Sequence, residues 1–324
     1  MKPVFIIAAG FFLGAVGAII IYRTGHRFSL IDMPSERSSH HMPTSRGGGI
    51  GILFAFLLTG LFYPWDALFW AVALSAGVLG LVEDRMSLPS EARLAVQISI
   101  SALIAVIAAG APNTIYGFSM VCIWTVFITS TTNFYNFMDG INGMAGLAGV
   151  VGFSLMAFVS FYIFNEPSLT IASLTIAAAC MGFLPLNCPN AKVFMGDTGS
   201  LFLGFLFGAF VMVMSRDVGS FIMLSAFLST FYADAALTLF YRLSRKENLF
   251  KSHRNHLYQY LSNELKMPHW QVSAIYGFIQ LVFGALSIII YIKGVFLIQL
   301  LAAMAFLTMS TASYAAIKSI RPRL

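Results

Sequence analysis

Apolar runs of about 18 residues or more recur from one end of the chain to the other, and short polar segments separate them. Runs of this length can cross the hydrocarbon core of a bilayer as helices. Of the 324 residues, 58% are hydrophobic and only 10% are charged, whereas a soluble domain has about 25% charged residues. The sequence therefore predicts an all-α polytopic integral membrane protein.

The runs predict about eleven membrane spans in a single transmembrane domain covering 1–324. We place the spans at 3–22, 47–63, 67–83, 94–111, 115–132, 143–164, 169–186, 200–214, 219–241, 271–291 and 295–317. The C-terminal tail and the loops at about 23–46, 84–93, 132–142, 187–199 and 242–270 carry all 19 Lys and Arg residues except Lys2, Arg216 and Lys293. Because basic loops stay in the cytoplasm, this bias predicts an N-terminus outside and a C-terminus inside.

The net charge of +6 is explained by this loop bias and by attraction to anionic lipid headgroups. We therefore do not expect a nucleic-acid partner. The three cysteines have no metal-ligand spacing, so they predict neither a disulfide framework nor a zinc site.

Five polar stretches stand out against this apolar background, at 43–49, 81–85, 133–140, 194–200 and 253–256. All five fall on the predicted cytoplasmic side, and the loops on the other side are too short to form a site. Ionisable residues are costly in a membrane and commonly mark functional positions. The grouping predicts a site for a charged substrate at the cytoplasmic face.

Four carboxylates are candidates for metal binding or catalysis: Glu83, Asp84, Asp139 and Asp197. Glu83 and Asp84 end the third span, where they are expected to hold Mg²⁺ or accept a proton; the alternative is a salt bridge with Arg85. Asp197 precedes an apolar helix and is predicted to bind Mg²⁺, a hard cation that prefers oxygen ligands. The alternative for Asp197 is a simple N-cap.

Asn133, Asn136 and Asp139 are spaced three residues apart, which places them along one face of a helix. The two asparagines are predicted to bind substrate, and Asp139 is a candidate catalytic base. The alternative is that the amides only join neighbouring helices by hydrogen bonds. Gly140 follows directly and would allow close approach of a ligand to the backbone.

The longest inner loop carries His253, Arg254 and His256, which suit a phosphate-rich substrate because they supply cationic and imidazole donors. A basic loop lying on the membrane surface is the alternative. Thr44 and Arg46, beside the glycines at 47–49, are further candidates for substrate binding. Asp234 lies inside the ninth span and is assigned a supporting position behind the site, with pairing to a nearby arginine left open.

The motifs together resemble the polyprenyl-phosphate N-acetylhexosamine-1-phosphate transferases, glycosyltransferase family 4. The resemblance rests on Asn-x-x-x-x-x-Asp-Gly-x-x-Gly from Asn133, Gly-Asp-x-Gly-Ser from Gly196, the acidic pair ending at Asp84 and the histidine-containing inner loop. The segments around Arg46 and His253 look most like the branch that initiates O-antigen synthesis.

The resemblance implies transfer of an N-acetylated sugar-1-phosphate from a UDP-sugar to undecaprenyl phosphate, with release of UMP. It implies Mg²⁺ as the cofactor, with Mn²⁺ as an alternative, held by Asp197 with help from Asp84. The sequence departs from the family's motifs at two positions, where the family's residue roles transfer less directly. Glu83 replaces the first aspartate of the acidic pair, and Asn142 replaces the second aspartate of the central motif. We therefore assign Asn142, like Asn187, to substrate binding.

These inferences place the protein in the inner membrane of a bacterium, with its site facing the cytoplasm and a homodimer left open. A transporter or lipid-phosphate carrier is the alternative function, but alternating access requires polar groups at mid-membrane or on both faces. The sequence does not choose among GlcNAc, GalNAc, FucNAc and QuiNAc as the sugar.

Overall fold

The computed structural model of the protein describes residues 2–34, 42–63, 66–86, 88–110, 112–248 and 254–319. The helices within these residues are α1 (Lys2–Thr24), α2 (Ile50–Phe62), α3 (Ala67–Met86), α4 (Ser90–Ala109), α5 (Ile115–Phe137), α6 (Met144–Val159), α7 (Pro167–Asn187), α8 (Gly196–Met214), α9 (Val218–Ser225), α10 (Ser229–Ser244), α11 (Leu257–Gln259), α12 (His269–Ile292) and α13 (Phe296–Ser319). The prediction of an all-α polytopic membrane protein is confirmed.

Ten helical segments of the described chain are long and apolar enough to cross a membrane. The predicted second span, 47–63, is instead the 13-residue helix α2, which is only about 20 Å long. It is shorter than predicted because 47–49 pair with another segment of backbone. The predicted ninth span is interrupted at Ala226–Leu228, where a short 3₁₀ turn separates α9 from α10. The count of eleven and the orientation stay predictions.

Helix α8 forms the centre of the bundle, and nearly all of its residues are buried. It packs between α3 and α5, and Gly204 and Gly208 let the backbone of α5 approach closely. Helix α13 lies at the opposite extreme, because only Gln299 and Tyr314 are buried along its length. The N-terminus of α8 is thus held in the interior of the bundle, at the end where the polar stretches meet.

A small extended structure covers this end of the bundle. Strand β1 (Ile31–Asp32) pairs antiparallel with β2 (Thr44–Ser45), and Ser45 forms a parallel bridge to Val193. The backbone N–H of Phe194 donates to the Ser45 carbonyl at 2.8 Å. These bonds fix the segment before α8 against the chain that leads into α2.

Helices α1 and α7 pack with their backbones in contact. A Cβ added at Gly182 of α7 would collide with the carbonyl oxygen of Phe11 in α1, and one added at Gly14 of α1 would collide with the carbonyl of Ala179 in α7. Small residues of this kind allow close helix packing where the surroundings are lipid.

Gly182→Ala is expected to destabilise the protein by about 2 kcal/mol, because the new methyl group forces α1 and α7 apart. The measurement is the thermal unfolding midpoint of purified protein in detergent. Gly117→Ala is the matched control, since its Cβ would make only ordinary contacts at the start of α5. Equal midpoints for the two variants would contradict this account of the α1–α7 contact.

Candidate functional site

A cavity of about 260 Å³ opens where α3, α5 and α7 end and α8 begins. Its charged lining residues are Asp32, Arg46, Asp84, Asp139 and Asp197, with His269 beside them. Its amide lining residues are Asn136, Asn142, Asn187 and Gln259. Such a lining is suited to a ligand that carries both charge and many hydrogen-bonding groups.

Asp84 caps the N-terminus of α8 from a different helix. Its Oδ1 accepts a hydrogen bond from the Asp197 backbone N–H at 2.9 Å, and its Oδ2 accepts from the Thr198 N–H at 2.9 Å and hydroxyl at 2.7 Å. The first N–H groups of a helix have no partner within the helix, and they attract negative charge. With its side chain only 2% exposed, Asp84 is engaged mainly in holding this helix end.

The first residue of α8 must be glycine. Gly196 has a φ of +74°, a conformation that L side chains rarely adopt. A Cβ at this position would also stand 2.5 Å from Asp84 Oδ2 and from the Gly47 nitrogen. Gly196 therefore lets Asp84 reach the N–H groups of the helix.

The glycines at 47–49 form a backbone contact with the segment that leads into α8. The N–H of Gly48 donates to the Phe194 carbonyl at 2.9 Å, and the N–H of Gly49 donates to the Met195 carbonyl at 2.9 Å. A Cβ on Gly49 would collide with the backbone of Gly199. This stretch joins the start of α2 to the start of α8 and brings the neighbouring Arg46 to the cavity.

Asn136 orients the carboxylate of Asp197. Its Nδ2 donates to Asp197 Oδ1 at 2.6 Å and to the Ser200 hydroxyl at 2.9 Å. The other oxygen of Asp197, Oδ2, lies 3.7 Å from Arg93 Nη1. Asp197 therefore presents one fixed oxygen and one oxygen without a hydrogen bond from the described residues, and its side chain is 26% exposed.

Asp139 lies just beyond the end of α5 on the same side of the cavity. Its carboxylate receives no hydrogen bond from the residues that the structure describes. Burial, followed by the nearby charges of Asp197 and Asp84, raises the pKa of Asp139 well above its usual range. Asp139 therefore holds its proton more tightly than an ordinary aspartate does.

Arg46 brings the positive charge closest to Asp84. Its Nε lies 3.9 Å from Asp84 Oδ1 and is buried without a hydrogen-bond partner among the described residues. Buried polar groups are nearly always hydrogen-bonded. Other atoms of the Arg46 side chain, which is 27% exposed, line the cavity and can meet an anionic ligand group there.

Glu83, Asn133 and Thr44 are among the predicted site residues that do not line the cavity. Glu83 pairs with Arg93, Asn133 donates to Gln97 Oε1 at 2.6 Å, and Thr44 donates to the Met42 carbonyl at 3.0 Å. Each of them holds one backbone segment or side chain in place.

Asn142 and Asn187 line the cavity and also brace its wall. Asn187 Oδ1 accepts from the Gly143 N–H at 2.7 Å, and its Nδ2 donates to the Val193 carbonyl at 3.0 Å. Asn142 Nδ2 donates to the Pro189 carbonyl at 3.0 Å. The predicted contact of these two residues with substrate stays a prediction.

His256 is buried behind the cavity. Its Nδ1 lies 3.2 Å from Oδ1 of Asp234, and this carboxylate also accepts from the N–H groups of Leu257 at 2.9 Å and Tyr258 at 3.1 Å. The Tyr258 hydroxyl in turn donates to the Phe137 carbonyl at 2.9 Å. Asp234 therefore supports the segment that follows the histidine loop.

The other two predicted residues of that loop are Arg254 and His253. Arg254 is exposed, and His253 lies outside the described residues. Their proposed contact with substrate is therefore not located by the structure.

Four residues near the site were not predicted from sequence: Asp32, Arg93, Gln259 and His269. All four fall in or next to the predicted cytoplasmic loops, so their side of the membrane could have been inferred. Their proximity to Asp197 and Asn142 depends on helix packing, for which the sequence pattern gives no signal.

This fold and site define a multi-pass membrane protein with a polar cavity for a charged ligand at one end of its helical bundle. A sequence model described as glycosyl transferase family 4 matches residues 67–215, which contain α3 to α8. This match covers a little under half of the chain and agrees with the resemblance that the motifs predicted.

Individual relatives agree with this assignment. An undecaprenyl-phosphate alpha-N-acetylglucosaminyl 1-phosphate transferase of Thermotoga maritima is 28% identical, over 86% of this chain and 86% of that protein. A probable undecaprenyl-phosphate N-acetylglucosaminyl 1-phosphate transferase of Bacillus subtilis is 25% identical, over 57% of this chain and 56% of the relative. A decaprenyl-phosphate N-acetylglucosaminephosphotransferase of Mycolicibacterium smegmatis is 28% identical, over 61% and 58%. The matches to the latter two span little more than half of their length.

The family resemblance implies Mg²⁺, and the donor set of the cavity fits this ion. Asp197 Oδ2 and the Asp139 carboxylate are hard oxygen donors without hydrogen bonds from the described residues. Within the same residues, no group of three His, Cys, Asp or Glu stands close enough to hold a metal alone. Mg²⁺ commonly uses one or two carboxylates and completes its shell with water and substrate phosphate, so a cation that arrives with a diphosphate fits here.

Asp84→Asn is expected to destabilise the protein by roughly 3 kcal/mol, because the new amide turns an N–H group toward the buried N–H groups of α8. The thermal unfolding midpoint in detergent measures this loss. Asp66→Asn makes the same change at an exposed cap at the start of α3, where we expect about 1 kcal/mol or less. If Asp84→Asn matched this control, Asp84 would not be the cap that holds α8.

Proposed function

We propose that this protein transfers an N-acetylated sugar-1-phosphate from a UDP-sugar to undecaprenyl phosphate and releases UMP. The observation that carries the proposal is the convergence of Asp197, Asn136, Asp139 and Arg46 on one cavity at the end of the helical bundle. The names of the relatives support a polyprenyl phosphate acceptor and favour N-acetylglucosamine 1-phosphate as the transferred group.

The position of the cavity suits one substrate held in the bilayer and one dissolved in water. A polyprenyl chain stays among the apolar helices, while its phosphate and the soluble nucleotide sugar meet at the polar end. Arg46 is proposed to bind a phosphate oxygen through the exposed part of its guanidinium, because its side chain lines the cavity. The site then faces the cytoplasm of a bacterium, where nucleotide sugars are found.

The cation, when bound, neutralises the diphosphate and polarises the phosphoryl group under attack. Asp197 and Asp139 are proposed to hold it. Asn136 keeps Asp197 in position by its short hydrogen bond to Oδ1. Asp84, whose oxygens already accept three hydrogen bonds, is proposed to act through its hold on α8.

In the proposed reaction, an oxygen of the acceptor phosphate attacks the phosphorus that bears the sugar. A phosphorus–oxygen bond forms to the acceptor, the bond to the bridging oxygen breaks, and UMP leaves with that oxygen and its electron pair. The acceptor phosphate is already largely ionised near neutral pH, so the reaction needs little base catalysis. Alignment and charge neutralisation carry most of the acceleration in phosphoryl transfer, with Asp139 as the candidate base.

The surrounding residues are proposed to recognise the donor. Asn142, Asn187, Arg254 and His253 are assigned to the sugar and nucleotide, and His256 acts indirectly by holding its loop against Asp234. We propose that the product starts a cell-envelope polysaccharide, with O-antigen as one candidate and a cell-wall polymer as another.

Wild-type protein in liposomes with undecaprenyl phosphate and Mg²⁺ is expected to release UMP from at least one of a panel of UDP-N-acetylhexosamines. Asp197→Asn should reduce UMP release about 100-fold or more, because it removes a charge that holds the cation, while the thermal midpoint stays near wild type. Asp217→Asn, at the start of α9, is the control and should keep full activity. Absence of UMP with every donor would disprove the transferase proposal.

Binding of Mn²⁺ is expected to strengthen as pH rises, because a proton competes with the cation for Asp139. The raised pKa of Asp139 moves this competition to higher pH than for an ordinary carboxyl group. Electron paramagnetic resonance of free Mn²⁺ across a pH series measures the effect. Asp139→Asn should flatten the pH dependence, and an unchanged slope in this variant would argue against Asp139 as a ligand.

A further inference from the structure

Arg93 lies between two carboxylates. Its Nη1 stands 3.4 Å from Glu83 Oε1 and 3.7 Å from Asp197 Oδ2. Arg93 belongs to the first turn of α4, whereas Glu83 lies in the last turn of α3 and Asp197 in the first turn of α8. One guanidinium nitrogen therefore joins three helices at the edge of the site.

Both carboxylates are held on the side away from Arg93. Glu83 Oε2 accepts from the Leu88 N–H at 2.8 Å, which fixes it to the turn between α3 and α4. Asp197 Oδ1 accepts from Asn136 at 2.6 Å. The oxygen of Asp197 that remains for a cation is therefore the one that faces Arg93.

Arg93 attracts Asp197 electrostatically but does not fix it by a hydrogen bond. At 3.7 Å the contact is longer than a hydrogen bond of about 2.9 Å, and the Arg93 side chain is 22% exposed, so it has room to move. A divalent cation at Oδ2 would repel the guanidinium strongly at this range. Glu83 is 11% exposed and can bind the Arg93 guanidinium when the cation displaces it from Asp197.

We propose that Arg93 is a positioning residue that neutralises and orients Asp197 before the cation binds, and that Glu83 retains Arg93 once the cation takes Oδ2. Arg93 and the cation are then competitors for one oxygen. Glu83 weakens this competition, although it never touches the cation. The inference rests on the proposed function only for the presence of a divalent cation.

The test measures Mn²⁺ binding to the full chain in nanodiscs by electron paramagnetic resonance. Neither the nucleotide-sugar donor nor the polyprenyl phosphate acceptor is added. Arg93→Gln should tighten binding about tenfold, and Glu83→Gln should weaken it about fivefold, which are typical sizes for coupled charges. Because Glu83 acts through Arg93, the double variant should bind Mn²⁺ like Arg93→Gln alone.

Arg85→Gln is the matched control, since it removes the same charge from an exposed neighbour at the end of α3. If general electrostatics alone acted, Arg85→Gln and Arg93→Gln would change the Mn²⁺ affinity by the same factor. The effects of Glu83→Gln and Arg93→Gln on this affinity would then also be additive in the double variant. Either result overturns the proposal, as does a wild-type protein that binds no Mn²⁺. If Arg93→Gln fails to fold, Glu83→Gln still tests the sign, and unchanged or tighter binding overturns it.

UMP release separates this inference from the proposed function. Wild-type turnover combined with additive Mn²⁺ effects would reject the role of Arg93 and keep the transferase. Absence of UMP with every donor, combined with the expected non-additive Mn²⁺ shifts, would reject the transferase and keep the role of Arg93.

Discussion

The hold of Asp84 on the N-terminus of α8 is the interaction on which the rest of the site depends. Helix α8 is the most enclosed helix of the bundle, so its first N–H groups have little access to water. Unpaired backbone groups in such surroundings are costly, and a carboxylate from α3 satisfies them with three hydrogen bonds. Asp197, Asn136 and Arg46 take their positions relative to this fixed helix end.

A second buried aspartate repeats this arrangement nearby. Asp234 accepts hydrogen bonds from N–H groups at the start of α11 and from the hydroxyl of Tyr276 at 2.8 Å. The Tyr258 hydroxyl donates to the Phe137 carbonyl and so joins this segment to the end of α5. Two of the acids therefore stabilise the architecture. Oδ2 of Asp197 and the carboxylate of Asp139 remain for a ligand.

The sequence predicted the class of fold and some of the residues that line the cavity, among them Asp84, Asn136 and Asp197, because these follow from local patterns. Apolar runs indicate the spanning helices. The predicted helix face shared by Asn133, Asn136 and Asp139 is wrong, because α5 ends at Phe137 and Asn133 donates to Gln97 instead of lining the cavity. The shortness of α2, the burial of His256 and the proximity of Arg93 to Asp197 were not predictable. Each of these results from a contact with a partner distant in the chain, and neither periodicity nor composition identifies such a partner.

The glycine contacts around α8 have a consequence for how this protein can diverge. Gly49 meets the backbone of Gly199, and Gly80 of α3 meets the backbone of Asp197. The start of α8 is thus enclosed largely by main chain, whose shape does not vary with side-chain identity. Lipid-facing side chains can then be exchanged over evolutionary time with little effect on the site geometry, provided that these few glycines are retained.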